Sequence, residues 1–445
     1  MSSEAKNTAT TTSVQPAEPK AVRPIYALFI GNTVSSVGDM LTLFAIPWFV
    51  LQTTGSVVQA GITGFFSAFP IVLSGFFGSV LVDRLGYKRT SIIGDVLSGL
   101  AVMLIPLLSY TTGLAFWQLL ALVFIGGLLR PPGGTARRSM VPELATLAHM
   151  RLERANALDD GVERIAHFLG APLAGVLITV IGTSNLLWLD AASFAVSALL
   201  IGLAVPEVAR ENARGKRQGY FAELREGIRF VQQDAVILTI IVVVMITNAL
   251  DNASFAVVQP AYMMQLFHSP IPFSILVAAS GGMAFVGTVI FGTIGHRFPR
   301  RLTFGICFII GGALRFWVLL TGNFPLMLGC YVLVGLALGP LNSLISTIMQ
   351  EHTPAIMRAR VFGLLGAGVM AGIPLGTLAS GFIVTWIGLR PTLTGMGIVY
   401  LLATLSILLN PALKKMEKSA IDQPQAKTDV TSGKILDMQK SREKI

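Results

Sequence analysis

Ser79-Val-Leu-Val-Asp83-Arg84-Leu-Gly86-Tyr-Lys88-Arg89 is a short charged break between two apolar runs, near 57–82 and 89–110. Each run is long enough for a helix to cross about 30 Å of hydrocarbon, which takes roughly 20 residues at about 1.5 Å each. Outward from this break the pattern repeats. Twelve such runs can be cut from the chain, near 25–51, 57–82, 89–110, 114–136, 157–182, 185–205, 236–262, 272–295, 302–321, 324–349, 359–387 and 391–410. A backbone amide in lipid finds no water, so apolar runs of this length are read as helices. The expected fold is an all-α membrane protein with twelve transmembrane helices.

Charge supplies the orientation. With the N-terminus inside, thirty-one of the 33 Lys and Arg residues fall on the cytoplasmic side of the ladder, leaving only Arg315 within a span and Arg390 outside. That bias marks cytoplasmic loops, so both termini are expected in the cytoplasm. A hydrophobic fraction of 53%, a charged fraction of 13% and a mean hydropathy of +0.70 are far from a soluble domain, in which about 25% of residues are charged. The net charge of +10 follows from the loop bias and needs no nucleic acid, although a basic face can also touch anionic lipid. Residues 1–24 lack the apolar core of a signal peptide and read as a disordered tail, as do residues 411–445. Cys307 and Cys330 sit inside proposed helices, which argues against a disulfide. The chain has no Gly-x-x-x-x-Gly-Lys-Ser/Thr loop, and its five histidines lack metal-ligand spacing, so no cofactor, metal or enzymatic activity is expected.

Two halves, 25–205 and 236–410, flank a polar linker at 206–235. In the linker Phe221, Leu224, Ile228 and Val231 recur at helical spacing, which predicts an amphipathic helix at the membrane surface or a solvated linker helix. The halves echo one another: Gly170-Ala-Pro-Leu returns as Gly372-Ile-Pro-Leu, and the interval from Gly126 to Pro131 returns from Gly335 to Pro340. The Arg84 and Lys88-Arg89 cluster returns as Arg297 and Arg300-Arg301. Such pairs at matching positions describe two pseudo-symmetric six-helix halves, an arrangement that binds substrate between them.

The segment from Ser79 to Arg89 resembles the loop signature of the major facilitator superfamily, Gly-x-x-x-Asp-Arg-x-Gly-x-Arg/Lys-Arg/Lys, with Ser79 in place of the first glycine. Val37-Gly38-Asp39, Ala45-Ile-Pro47, Ala155-Asn156-Ala157-Leu158, Leu189-Asp190-Ala-Ala-Ser193-Phe194 and Glu223-Leu-Arg-Glu-Gly227 are similar to the branch that holds macrolide efflux pumps and enterobactin exporters. The resemblance covers residues 25–410. It implies a multi-pass transporter of the bacterial inner (cytoplasmic) membrane, working as a monomer on a small-molecule substrate and protons by alternating access. It also implies that Asp83, Arg84, Gly86, Lys88 and Arg89 form a conformational latch, Asp83 meeting the start of the eleventh span near Thr353-Pro354, with Arg130 or Asp95 as a second partner.

An ionised group at the bilayer centre costs roughly 2.5 kcal/mol or more, so charges within spans are functional candidates. Asp39 in the first span and Asp251 in the seventh occupy equivalent places and are candidate proton-coupling acids, or else structural hydrogen-bonding groups. In the fifth span Asp160, Glu163, Arg164 and His167 share one helical face, either a proton path through Glu163 and His167 or a self-neutralised stripe. Asn32, Asn248 and Asn252 near the acids, with Phe65, Phe69 and Met263, make a candidate substrate-binding set. Arg315 either joins that set, favouring an anion, or snorkels to the outer interface. The function expected is proton-coupled efflux of amphipathic drug-like compounds, with export of a siderophore or other anion as the alternative. A membrane scaffold or sensor is the alternative of another class.

Overall fold

Hydrocarbon offers a backbone N–H no acceptor, so each apolar run closes its hydrogen bonds within itself and the residues at its ends decide where it stops. A computed structural model describes residues 21–207, 220–353 and 358–409, and these contain helices and no strand. The two expected tails beyond these limits, residues 208–219 of the linker and Pro354 lie outside the described residues, as do the side chains of Ser79, Asp83, Glu163, Arg164 and His167.

The first group of helices comprises α1 (Arg23–Thr54), α2 (Val57–Leu85), α3 (Tyr87–Thr111), α4 (Phe116–Leu147), α5 (Leu152–Ile181) and α6 (Thr183–Ala204). After the linker helix α7 (Tyr220–Gln233) come α8 (Ala235–Phe267), α9 (Ile271–Ile294), α10 (Arg300–Leu319), α11 (Phe324–His352), α12 (Arg358–Ile387) and α13 (Leu389–Leu409). One π turn interrupts α8 at Ser254–Val258, and another interrupts α10 at Ile309–Ala313. Polar punctuation sets several boundaries. Gly55, at φ +65°, ends α1 in a left-handed turn that resists side chains, and Ser56 Oγ then accepts from the Gln59 amide at 3.3 Å to open α2. Asn323 caps α11 in the same way, accepting from the Leu326 amide at 3.2 Å.

Among the described residues, eleven helices are long and apolar enough to span a membrane, one fewer than the sequence predicts. The difference lies in α5. It runs for 30 residues with an apolar second half, Phe168–Ile181, and the side chains of residues 162–165 and 167, just before that half, lie outside the described residues. The amphipathic linker helix is present as α7 and packs against α8 and α12, with Val231 buried and Ile228 exposed.

In the first group α1 packs on α5 and α6, α3 on α4 and α6, and α2 on α4; in the second, α9 packs on α11, α8 on α12, and α10 on α11 and α13. Two seams join the groups, α2 against α12 and α5 against α9. Lipid gives helices no hydrophobic drive to associate, so the seams depend on small residues that let backbones touch. A Cβ on Gly61 would lie 2.9 Å from the Gly381 Cα, and in the other seam Gly175 faces Ser274. The same device works inside the second group, where a Cβ on Gly335 would lie 2.3 Å from the Ser280 carbonyl oxygen. Thr288 Oγ1 donates to the Gly339 carbonyl at 3.0 Å across that contact.

Asp234 caps α8, accepting from the Val236 and Ile237 amides at 2.8 and 3.1 Å, and lies 3.5 Å from His352 Nδ1 at the end of α11. The hydrogen bond from His352 holds the carboxyl below its ordinary value, helped by the two amides and opposed by partial burial. A lowered folded value contributes stability above the unfolded pKa of about 4 and loses it as pH falls through the folded value. Asn caps a helix as well as Asp does but does not titrate. Asp234→Asn is therefore expected to flatten the fall in thermal midpoint below about pH 4, measured on purified protein in detergent; parallel pH profiles for variant and wild type would refute the His352 contact.

Candidate functional site

Between the two groups lies a cavity of about 340 Å³, walled by α1, α2, α3, α4, α8 and α12. Its surface is largely apolar. Thr42, Ser67, Asn248, Asn252 and Thr377 supply polar contacts, and Arg130 is the one charged side chain among the described lining residues. A concave apolar space with a few placed polar groups is the ordinary form of a small-molecule site. Beside it, the rings of Phe44 on α1, Phe255 in the π turn of α8 and Phe273 on α9 pack with centroids 5.2 to 5.4 Å apart, joining the two groups.

Arg130 is held from behind. Its Nε approaches Asp39 Oδ1 to 2.9 Å, without the alignment of a hydrogen bond, and its guanidinium lies 5.9 Å from the centre of the Phe194 ring. Further into the first group, Asp190 of α6 accepts from the Thr42 hydroxyl and from Ser193 Oγ at 3.2 Å. Arg137 of α4 meets Asp95 of α3 at 2.7 Å, and Ser197 Oγ donates to the other oxygen of Asp95 at 2.7 Å. Both members of the Arg137–Asp95 pair are almost fully enclosed, the condition under which a charge needs a partner most.

The second group repeats the device with other residues. Arg315 of α10 donates to Asp251 of α8 and lies 4.8 Å from the centre of the Phe316 ring. Nearby, Tyr331 donates to Gln259 Oε1 at 3.1 Å, and Gln259 Nε2 donates to Ser254 Oγ at 2.8 Å. The π turn of α8 begins just after Asp251, and that of α10 ends just before Arg315. A π turn inserts one residue and re-aims the side chains beside it, and such turns gather at functional sites.

The candidates named from sequence are therefore partly brought together. Asn248, Asn252 and Arg130 line the cavity; Asp39 stands behind Arg130, and Asp251 does not line it. Phe65 and Phe69 stack on each other at 5.1 Å outside the lining, and Met263 is fully buried in the core. Asn32 is buried and donates to Asp159 at 3.4 Å, away from the cavity. Arg315 does not snorkel to an interface: its side chain is 13% exposed and bound to Asp251. Arg130 and Asp95 face Asp39 and Arg137, with no described contact to the loop between α2 and α3. In that loop Arg89 pairs with Glu207 at 3.1 Å, Arg84 is exposed, Lys88 is half-buried and Gly86 turns at φ +84°. Glu163 and His167 lie on α5, with side chains outside the described residues. Arg137 and Asp190 were not among the candidates, although both are charges within or beside apolar runs.

Removing one member of a buried ion pair typically costs about 3–5 kcal/mol, whereas removing both costs far less. Arg130→Gln and Asp39→Asn alone are each expected to lower the thermal midpoint more than the double variant does. Additive losses in unfolding measurements on the four proteins of the cycle would show that the 2.9 Å approach carries no coupling.

The chain is 27% identical over 408 residues to the multidrug efflux pump Tap of Mycobacterium tuberculosis (strain ATCC 25618 / H37Rv), covering 90% of this chain and 97% of that protein. It is 20% identical over 372 residues to macrolide efflux protein A of Streptococcus pyogenes, covering 82% and 90% respectively. In fold it is similar to the nucleoside transporter NupG, with a TM-score of 0.73 at 14% identity, covering 87% of this chain and 99% of that one. A bacterial homologue of the human lysosomal transporter Spinster gives a TM-score of 0.68, also at 14% identity, covering 91% and 100%. The model of the Major Facilitator Superfamily matches residues 28–250 and 241–438, so nearly the whole helical chain is accounted for, and the protein belongs to that superfamily of membrane transporters.

Proposed function

We propose that this protein is a secondary active exporter, expelling amphipathic drug-like compounds of multidrug or macrolide type in exchange for protons. The observation that carries this reading is the cavity: about 340 Å³, mostly apolar, with one charge among its described lining residues, Arg130, which Asp39 holds. Such a wall offers contact area to many apolar shapes and few fixed hydrogen bonds to discriminate among them. The similarity to Tap and to macrolide efflux protein A supports the substrate class.

On this reading α5 is the twelfth span. The two six-helix halves then run from 25 to 205 and from 236 to 410, with both termini on the cytoplasmic side of the inner membrane and a monomer as the working unit. That orientation places the Gly61–Gly381 and Gly175–Ser274 seams at the outer ends of their helices, so the outer side is closed and the cavity belongs to an inward-open state. Asp39 and Asp251 each hold an arginine, and a proton on either acid would release its partner, giving protonation a mechanical consequence. Glu163 and His167 extend the proton path along α5, and Asp83 with Arg84, Gly86, Lys88 and Arg89 latches the halves on the cytoplasmic side.

A second reading, export of a siderophore or another anionic metabolite, is favoured by one observation: the one charge among the described lining residues is positive. Uptake of a dye, a macrolide and a catecholate into inverted vesicles, with and without an inside-acid gradient, separates the two. The expected result is gradient-dependent uptake of dye and macrolide, reduced at least tenfold in Asp39→Asn. Uptake confined to the catecholate would establish the second reading, and uptake indifferent to the gradient would remove proton coupling.

A further inference from the structure

Asp190 has no role in the reading above, yet it is the most enclosed carboxyl among the described residues of the first group, at 0% exposure. Three buried or nearly buried acids gather where α1, α3, α4 and α6 meet: Asp39, Asp95 and Asp190. Two guanidinium groups face them among the described residues. Arg137 is committed to Asp95 at 2.7 Å, and Arg130 lies 2.9 Å from Asp39. Asp190 is left with hydroxyls only: Thr42 on one oxygen and Ser193, at 3.2 Å, on the other. From α5, which also touches α6, Asp159 is engaged with Asn32 and Arg138, Asp160 is exposed, and the side chains of Glu163, Arg164 and His167 lie outside the described residues.

The geometry points to Asp190 as the carboxyl that carries a proton in this state, shared in the transport cycle with Asp39. A third unpaired negative charge would be left in a site with no water-facing surface, where it is more costly than a neutral acid bonded to a hydroxyl. A hydroxyl serves equally well as acceptor, so once its own O–H rotates Thr42 can accept a hydrogen bond from a neutral Asp190 with both oxygens in place. The surroundings also provide an exchange. The Gly38 backbone, next to Asp39, packs so closely on Asp190 that a Cβ there would lie 2.3 Å from Asp190 Oδ1. If Arg130 turns from Asp39 toward Asp190, the proton moves from the Asp190 carboxyl to the Asp39 carboxylate. One O–H bond breaks and one forms, one neutral acid and one anion remain, and the net charge is unchanged. The loose alignment of Arg130 on Asp39 is what such a turn requires. Asp190 would then be a positioning and proton-storing residue one step behind the cavity wall, and Thr42, which also lines the cavity, would report substrate to it.

This inference rests on the proton-coupled reading for its purpose but not for its test, which needs no transport. Infrared spectra of the full-length protein in lipid nanodiscs at neutral pH should show the C=O stretch of a buried protonated carboxylic acid. The band should vanish in Asp190→Asn, because Asp39 then keeps Arg130 and no surplus acid remains. Thr42→Val should keep the band but shift it, since Thr42 bonds Asp190 and not Asp39, and this variant decides the matter should Asp190→Asn fail to fold. Absence of the band in wild type, its survival in Asp190→Asn, or an unshifted band in Thr42→Val would each overturn the assignment.

Discussion

The approach of Arg130 to Asp39 sets the character of the cavity. An arginine at the wall of an apolar space would be prohibitively placed without a counter-charge, and an aspartate in mid-helix would be equally so. Each makes the other tolerable, and together they tie α1 to α4 beside the ligand space. Arg137 with Asp95 and Arg315 with Asp251 answer the same constraint elsewhere. The three differ in how tightly they are fixed. The Arg137–Asp95 contact is short, enclosed and supported by Ser197, which suits a permanent brace. The Arg130–Asp39 contact is poorly aligned and partly exposed to the cavity, which suits a contact that changes.

Around these pairs the helices are held by backbone proximity rather than by large interlocking side chains. Gly61 on Gly381, between the groups, and Gly335 on Ser280, inside the second, leave no room for a methyl group. The main seams between the two groups are α2 with α12 and α5 with α9, with smaller contacts from α1 and α2 to the π turn of α8. The two π turns place local irregularity in α8 and α10, on either side of the Arg315–Asp251 pair, where a helix can change register at low cost.

Much of the architecture could be read from the chain because lipid imposes a one-dimensional rule: an apolar run of sufficient length becomes a helix whatever its neighbours do. The run from 324 to 349 became Phe324–His352, and the amphipathic spacing in the linker became Tyr220–Gln233. Along α5 the described apolar stretch is the shorter Phe168–Ile181. Asp39 and Asp251 were visible as costly residues for the same reason. Which arginines they meet was not, since Arg130 is 91 positions away in sequence from Asp39.

The sequence by itself determined the helices, the basic side of the ladder and the resemblance to a transporter family, because hydropathy, charge bias and a loop signature are local properties of the chain. Tertiary structure alone decided which charges meet. Pairing depends on rotation about each helix axis and on which helices are neighbours, and neither is encoded in any single run. That is why Arg315 came to rest on Asp251 instead of at an interface, why Asn248 and Asn252 reached the cavity while Asn32 did not, and why Asp190 was left with hydroxyls for company.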